Sequence, residues 1–118
     1  MFPGARMGER VGKNKCFVIS EIGEPGSLPR KRADRFLHII ERAFERVAVQ
    51  TGRLIRAERL DGDRGVENFM RSVVIRIMRD EFIIAVLSNR NPNAHLELGI
   101  ALAAGRRVMI LLEHKEDM

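Results

Sequence analysis

The chain has 118 residues, 45% hydrophobic and 31% charged, with 21 Lys+Arg against 16 Asp+Glu and a formal net charge of +5. This leaves room for one soluble globular domain with one core and excludes a two-domain enzyme. No stretch approaches the roughly 18 uncharged apolar residues of a membrane span, and the single cysteine, Cys16, excludes an internal disulfide and fits a reducing, cytoplasmic compartment.

Residues 1–14 are Gly-rich, basic and aperiodic, and read as a flexible basic arm ahead of an α/β domain over 15–118. Arg6, Glu9, Arg10 and Lys13 leave no apolar run for a secretory signal. Cys16, Phe17, Val18 and Ile19 form a short apolar run suited to a strand buried on both faces. Residues 20–29, with Gly23, Pro25, Gly26 and Pro29, read as a loop. Ala33, Phe36, Leu37, Ile40, Ala43, Phe44 and Val47 then recur at three-and-four spacing, which predicts an amphipathic helix stopped by Gly52. Leu54, Ile55 and Ala57 suggest a strand nearer the sheet edge.

After a polar turn at 61–65, the stripe Val66, Phe69, Met70, Val73, Val74 and Ile77 predicts a second helix. Residues 82–87 are the most apolar run and predict a central strand. A polar loop at 88–92 leads into a third helix over 93–104, apolar nearly all round and so expected to be buried, with Gly105 as its cap. Residues 108–112 predict a fourth buried strand, and 114–118 a polar tail. The order β-α-β-α-β-α-β implies right-handed crossovers and a doubly wound parallel sheet of about four strands. Such a domain normally adds another helix after the fourth strand, so a truncated domain or a second copy covering that face is expected.

Ligands of open parallel sheets sit beyond the carboxyl ends of the strands, here 20–26, 60–65 and 88–93. Glu97 lies there on the apolar third helix, where a carboxylate is costly. Burial should raise its pKa, while the helix N-terminus should lower it. It reads either as a functional carboxylate or as one satisfied by the 20–26 loop. Asn91 and Asn93 fit a binding role or plain turn and N-cap chemistry. Arg30, Lys31 and Arg32 open the first helix against its dipole. They read as a phosphate seat or as a solvated face near Asp34.

The patterns C-F-V-I-S-x-I-G from Cys16, R-K-R-A-D from Arg30, N-P-N-x-x-x-E-L-G-I-A from Asn91 and G-R-x-V-x-I-L from Gly105 resemble the TIR-like nucleotide-binding domains, relatives of the nucleoside 2-deoxyribosyltransferases. The resemblance spans residues 15–112 and implies a flavodoxin-like fold with a nucleotide at the strand ends. It implies Glu97 as the catalytic carboxylate for cleavage or transfer at an N-glycosidic bond. It also implies that Ser20, Ile22 and Gly23 lie along the nucleotide with Ser88, Asn91 and Asn93, in bacterial antiphage defence or signalling. Relatives commonly carry S-P-I-G where this chain has Ser20, Glu21, Ile22 and Gly23, an Asp where Val86 stands, and an aromatic residue before the glutamate, where Ala94, His95 and Leu96 stand.

Cleaving a ribosyl N-glycosidic bond needs one carboxylate for the oxocarbenium-like centre and, for a neutral base, an acid for the leaving group. Nicotinamide of NAD leaves neutral without that acid, so Val86 favours NAD as substrate and an NAD glycohydrolase as the activity. The alternative is a non-catalytic nucleotide-sensing or self-assembly module. No required cofactor is expected. No Cys or His pair has zinc-ligand spacing, so no metal is expected. His38 is expected to be solvated and Cys16 to be a small core residue. Nucleic-acid binding is not expected, because much of the basic excess lies in the arm and at 30–32 and the chain has no Trp or Tyr for stacking.

Overall fold

The computed structural model describes residues 12–60, 66–87 and 92–113. Seven elements alternate in chain order: β1 (Lys15–Ile19), α1 (Leu28–Thr51), β2 (Arg56–Glu58), α2 (Val66–Arg79), β3 (Phe82–Leu87), α3 (Pro92–Ala103) and β4 (Met109–Leu112). The strands form one all-parallel sheet in the order β2-β1-β3-β4. This is a flavodoxin-like α/β arrangement, and β3 is central as its apolar run predicts. The predicted turn at 61–65 and tail at 114–118 lie outside the described residues, as do 1–11 of the arm.

One sheet face carries Cys16, Val18, Ala57, Ile84 and Val86, covered by Phe36, Leu37, Ile40 and Phe44 of α1. The other carries Phe17, Ile19, Ile83 and Ala85, covered by Val73 and Ile77 of α2 and by Ala94 and Ala101 of α3. Right-handed crossovers require this placement of α1 opposite α2 and α3. Ser27 caps α1 by accepting from the Arg30 amide, and Gly52 ends it with φ of 75°. Gly105, with φ of 78°, ends α3 while the Arg106 amide donates back to the Ala101 carbonyl at 3.0 Å.

Several expectations are corrected. Val47 at the end of the α1 stripe is exposed, because a helix of 24 residues outruns a sheet whose first strand has five. Val74 of the α2 stripe is also exposed. β4 is an exposed edge and not a buried strand: Met109, Ile110 and Leu112 are 61%, 45% and 74% exposed. On the face that carries Met109, α1 packs mainly over β2 at the other edge. On the face that carries Ile110 and Leu112, α3 rests over β3 and β1, inward of β4. For the same reason α3 buries only one face, through Ala94, Glu97 and Ala101, while Leu96 and Leu102 face solvent.

Residues 12–14, assigned to the arm, belong to the fold. The Gly12 carbonyl accepts from the Lys15 and Glu81 amides, and the Asn14 carbonyl accepts from the Arg56 amide. The Asn14 amide donates to Glu81 Oε1 at 2.9 Å, and Arg53 Nε donates to Asn14 Oδ1 at 2.6 Å. Below the sheet, buried Arg76 donates from Nε to the fully buried Asp80 at 2.7 Å and stacks over the Phe17 ring. Arg106 donates to the Asp80 and Glu81 carbonyls, tying the end of α2 to the start of β4.

Candidate functional site at the strand ends

The order β2-β1-β3-β4 creates a switch point between β1 and β3. The chain leaves β1 for α1 on one face and leaves β3 for α3 on the other. In open parallel sheets such a switch point is where ligands enter, at the carboxyl ends of neighbouring strands; on the β3 side, residues 88–91 lie outside the described residues. Ile19 sits beside Ala85 in the register, so the segment after β1 starts alongside Val86 and Leu87, the last two residues of β3.

The β1 side is shaped by glycine and arginine. Gly23 has φ of 73°, and a Cβ there would lie 2.8 Å from the Pro29 Cβ and 2.9 Å from the Arg30 nitrogen. The backbone therefore needs glycine both for conformation and for room. Arg30 folds back from α1, donating from Nε to the Ile22 carbonyl at 3.1 Å and from Nη2 to the Gly23 carbonyl at 3.3 Å. Two of the expected nucleotide-lining residues, Ile22 and Gly23, are thus held directly by a third, Arg30. Ser20 and Ile22 are half-buried and Gly23 is exposed.

Arg32 turns elsewhere, with Nε 3.8 Å from Glu113 Oε2 just past β4. Asp34 pairs with Arg59 just past β2. The start of α1 is therefore anchored over the strand ends from both sides, and the basic cluster is partly committed to protein contacts. Asn93 is exposed in the first turn of α3, and Ser88 and Asn91 lie outside the described residues.

Glu97 sits one turn further along α3, 8% exposed, on the face it shares with Ala94 and Ala101. It makes no hydrogen bond or ion pair among the described residues. Burial pushes its carboxyl up to about 7. A carboxyl so placed holds a proton near neutrality and gives it up readily when a cation arrives. Val86 is 2% exposed and packs under α1, on the sheet face opposite α3. A second acid at that position would stand on the far side of the sheet from Glu97.

Elsewhere, His38 is on the solvated face of α1, 3.4 Å from Glu41. Cys16 is fully buried in β1, and burial pushes its thiol up to about 12, far from reactivity. Among the described residues no cluster of three His, Cys, Asp or Glu side chains is arranged to hold a metal ion, and no helix is long and apolar enough to cross a membrane. A shallow groove beside β2, lined by Glu41, Glu45, Arg56 and Glu58, lies at the sheet edge away from the switch point.

Two structural participants were missed in the sequence. Arg30 as the holder of the loop has no signal in the sequence beyond its charge, which does not say whether the side chain turns to a carbonyl or to a ligand. The Arg76–Asp80 pair was detectable as opposite charges four residues apart near a helix end. Compared with protein-family models and with curated proteins, the chain matches none.

Proposed function

We propose that the chain binds a nucleotide across the β1–β3 switch point and cleaves the N-glycosidic bond of NAD, with Glu97 as the catalytic carboxylate. The observation that carries this reading is a buried carboxylate early in the helix that follows β3, with no partner among the described residues. The positive charge of nicotinamide-ribose favours the ionised carboxylate on approach. As the glycosidic bond lengthens, the ribose takes on oxocarbenium character and the carboxylate stabilises it. Nicotinamide departs neutral, so no second acid is required, in keeping with Val86. Water captures the ribosyl centre in the hydrolytic reaction. Ser20, Ile22, Gly23 and Asn93 are proposed to line the nucleotide with Ser88 and Asn91, and the resemblance suggests bacterial defence or signalling as the setting.

The test is incubation with NAD followed by chromatography of the products, comparing wild type with Glu97→Ala and Glu97→Gln. Nicotinamide release by wild type alone supports the reading. Equal release by all three, or none by wild type, removes it. A second reading, a non-catalytic nucleotide-sensing module, is favoured by one observation: Arg30 donates to the loop carbonyls, which commits part of the cation expected at the phosphates. Nucleotide binding by calorimetry without nicotinamide release distinguishes it.

A further inference from the structure

The two edges of the sheet are built differently. β2 has three residues and carries Arg56 and Glu58, the short charged form that resists pairing. β4 reads Met-Ile-Leu-Leu and is largely exposed. An open apolar edge with no charge or proline within it is a template for another strand.

The register of that template follows from one bond. The Glu113 amide donates inward to the Leu87 carbonyl at 3.1 Å. Odd-numbered residues of β4 therefore turn their amides to β3, and Val108, Ile110 and Leu112 turn theirs to the open edge. Met109 and Leu111, paired in register with Ile84 and Val86, share the α1 face of the sheet. Continuing the alternation puts Arg107 and Glu113 on that face too. Glu113 meets Arg32 of α1 there, while its Oε1 is buried without a hydrogen-bond partner. Arg107 is exposed and makes no ion pair among the described residues.

We propose that β4 pairs antiparallel with β4 of a second copy about a two-fold axis at Ile110, joining two sheets into one. In this register the outward amides of Val108, Ile110 and Leu112 meet those of Leu112, Ile110 and Val108. Met109 faces Leu111, and Arg107 of each copy faces Glu113 of the other. Moving the axis to Met109 sets Arg107 opposite Leu111, and moving it to Leu111 sets Glu113 opposite Met109. Only the Ile110 register makes the edge self-complementary in charge as well as in hydrogen bonding. The pairing is independent of Glu97 and of the nucleotide reading.

Analytical ultracentrifugation over micromolar concentrations tests it. Wild type is expected to reach twice the monomer mass. Arg107→Glu and Glu113→Arg are each expected to weaken the dimer about tenfold or more, because two symmetry-related pairs become repulsive. The double variant Arg107→Glu/Glu113→Arg is expected to restore it. Ile110→Pro removes an amide that serves only the open edge, and is expected to be monomeric with unchanged circular dichroism. Should that variant unfold, the charge series still decides. A monomeric wild type, as when another segment or partner takes the edge, overturns the proposal, and so does a dimer unaffected by both reversals.

Discussion

Arg30 donates from Nε to the Ile22 carbonyl at 3.1 Å, so the first turn of α1 holds the loop that follows β1. Charge and geometry can be separated at this residue. Arg30→Lys keeps the charge but loses the planar fork that reaches Ile22 and Gly23 together. Both Arg30→Ala and Arg30→Lys are expected to weaken nucleotide binding by roughly 1 kcal/mol, about fivefold. Calorimetry checks this. Near-wild-type affinity in Arg30→Lys would assign the residue to the phosphates instead.

Gly23→Ala should act on the same loop through the backbone. Its positive φ and its contact with Pro29 and Arg30 predict a loss of about 1–3 kcal/mol in stability, together with displacement of the Arg30 side chain. Thermal unfolding measures the first effect and NMR of the Arg30 Nε–H the second. Gly26→Ala is the comparison, since a Cβ there meets nothing within 4 Å although φ is 81°.

Glu97 ties stability to pH. Its folded pKa of about 7 exceeds the ordinary value of 4.5, so between these values the folded chain holds the proton more tightly than the unfolded chain does. The contribution of Glu97 to stability is then greatest below about 4.5, falls as pH rises toward 7, and is lost above it. Glu97→Gln removes this dependence. At pH 8 it should exceed wild type by on the order of 3 kcal/mol, with the gap closing near pH 4.5. Urea denaturation at both pH values reads the difference, and a constant gap would place the titration elsewhere.

The same carboxyl predicts an acid limb in catalysis. If the ionised form stabilises the ribosyl cation, kcat/KM for NAD cleavage should fall about tenfold per unit of pH well below the apparent pKa in the free protein, about 7. A pH–rate profile of nicotinamide release shows whether the limb lies there or near an ordinary carboxyl value.

Asp80 is a structural counterpart far from the strand ends. It is fully buried against Arg76 and Arg79. Asp80→Ala leaves Arg76 without its buried anion and is expected to cost about 3–5 kcal/mol, whereas Arg76→Met/Asp80→Leu together should cost less. Chemical denaturation of the three proteins separates loss of the buried anion, which leaves Arg76 only the partly exposed Glu58 at 3.0 Å, from replacement of the whole pair.

The architecture was legible because each apolar run or stripe had one period and a clear terminator. Phe17, Ile19, Ile83 and Ala85 went to a core through runs of β-branched and apolar residues, and Gly52 and Gly105 ended helices through their left-handed backbone. Exposure of β4 was not legible, because Met109, Ile110 and Leu112 have the composition of buried residues. Whether a helix covers them depends on where α1 and α3 come to rest over the two faces of the sheet. At the candidate site, the burial of Glu97 followed from its apolar neighbours in sequence. The folding back of Arg30 did not, since a side chain's choice between a backbone carbonyl and solvent is set by loop geometry.

The clasp formed by Gly12 and Asn14 bears on the order in which the chain closes. Asn14 meets Arg53 39 residues later and Glu81 67 residues later. A Cβ at Gly12 would strike the Arg79 carbonyl, so the contact admits only glycine. These bonds can form only after α1, β2 and α2 have brought their partners together, because closing so long a loop early loses chain entropy before any contact offsets it. The clasp is expected to assemble late in folding, on the far side of the rate-limiting barrier. Weakening it should hasten unfolding while leaving the folding rate nearly unchanged.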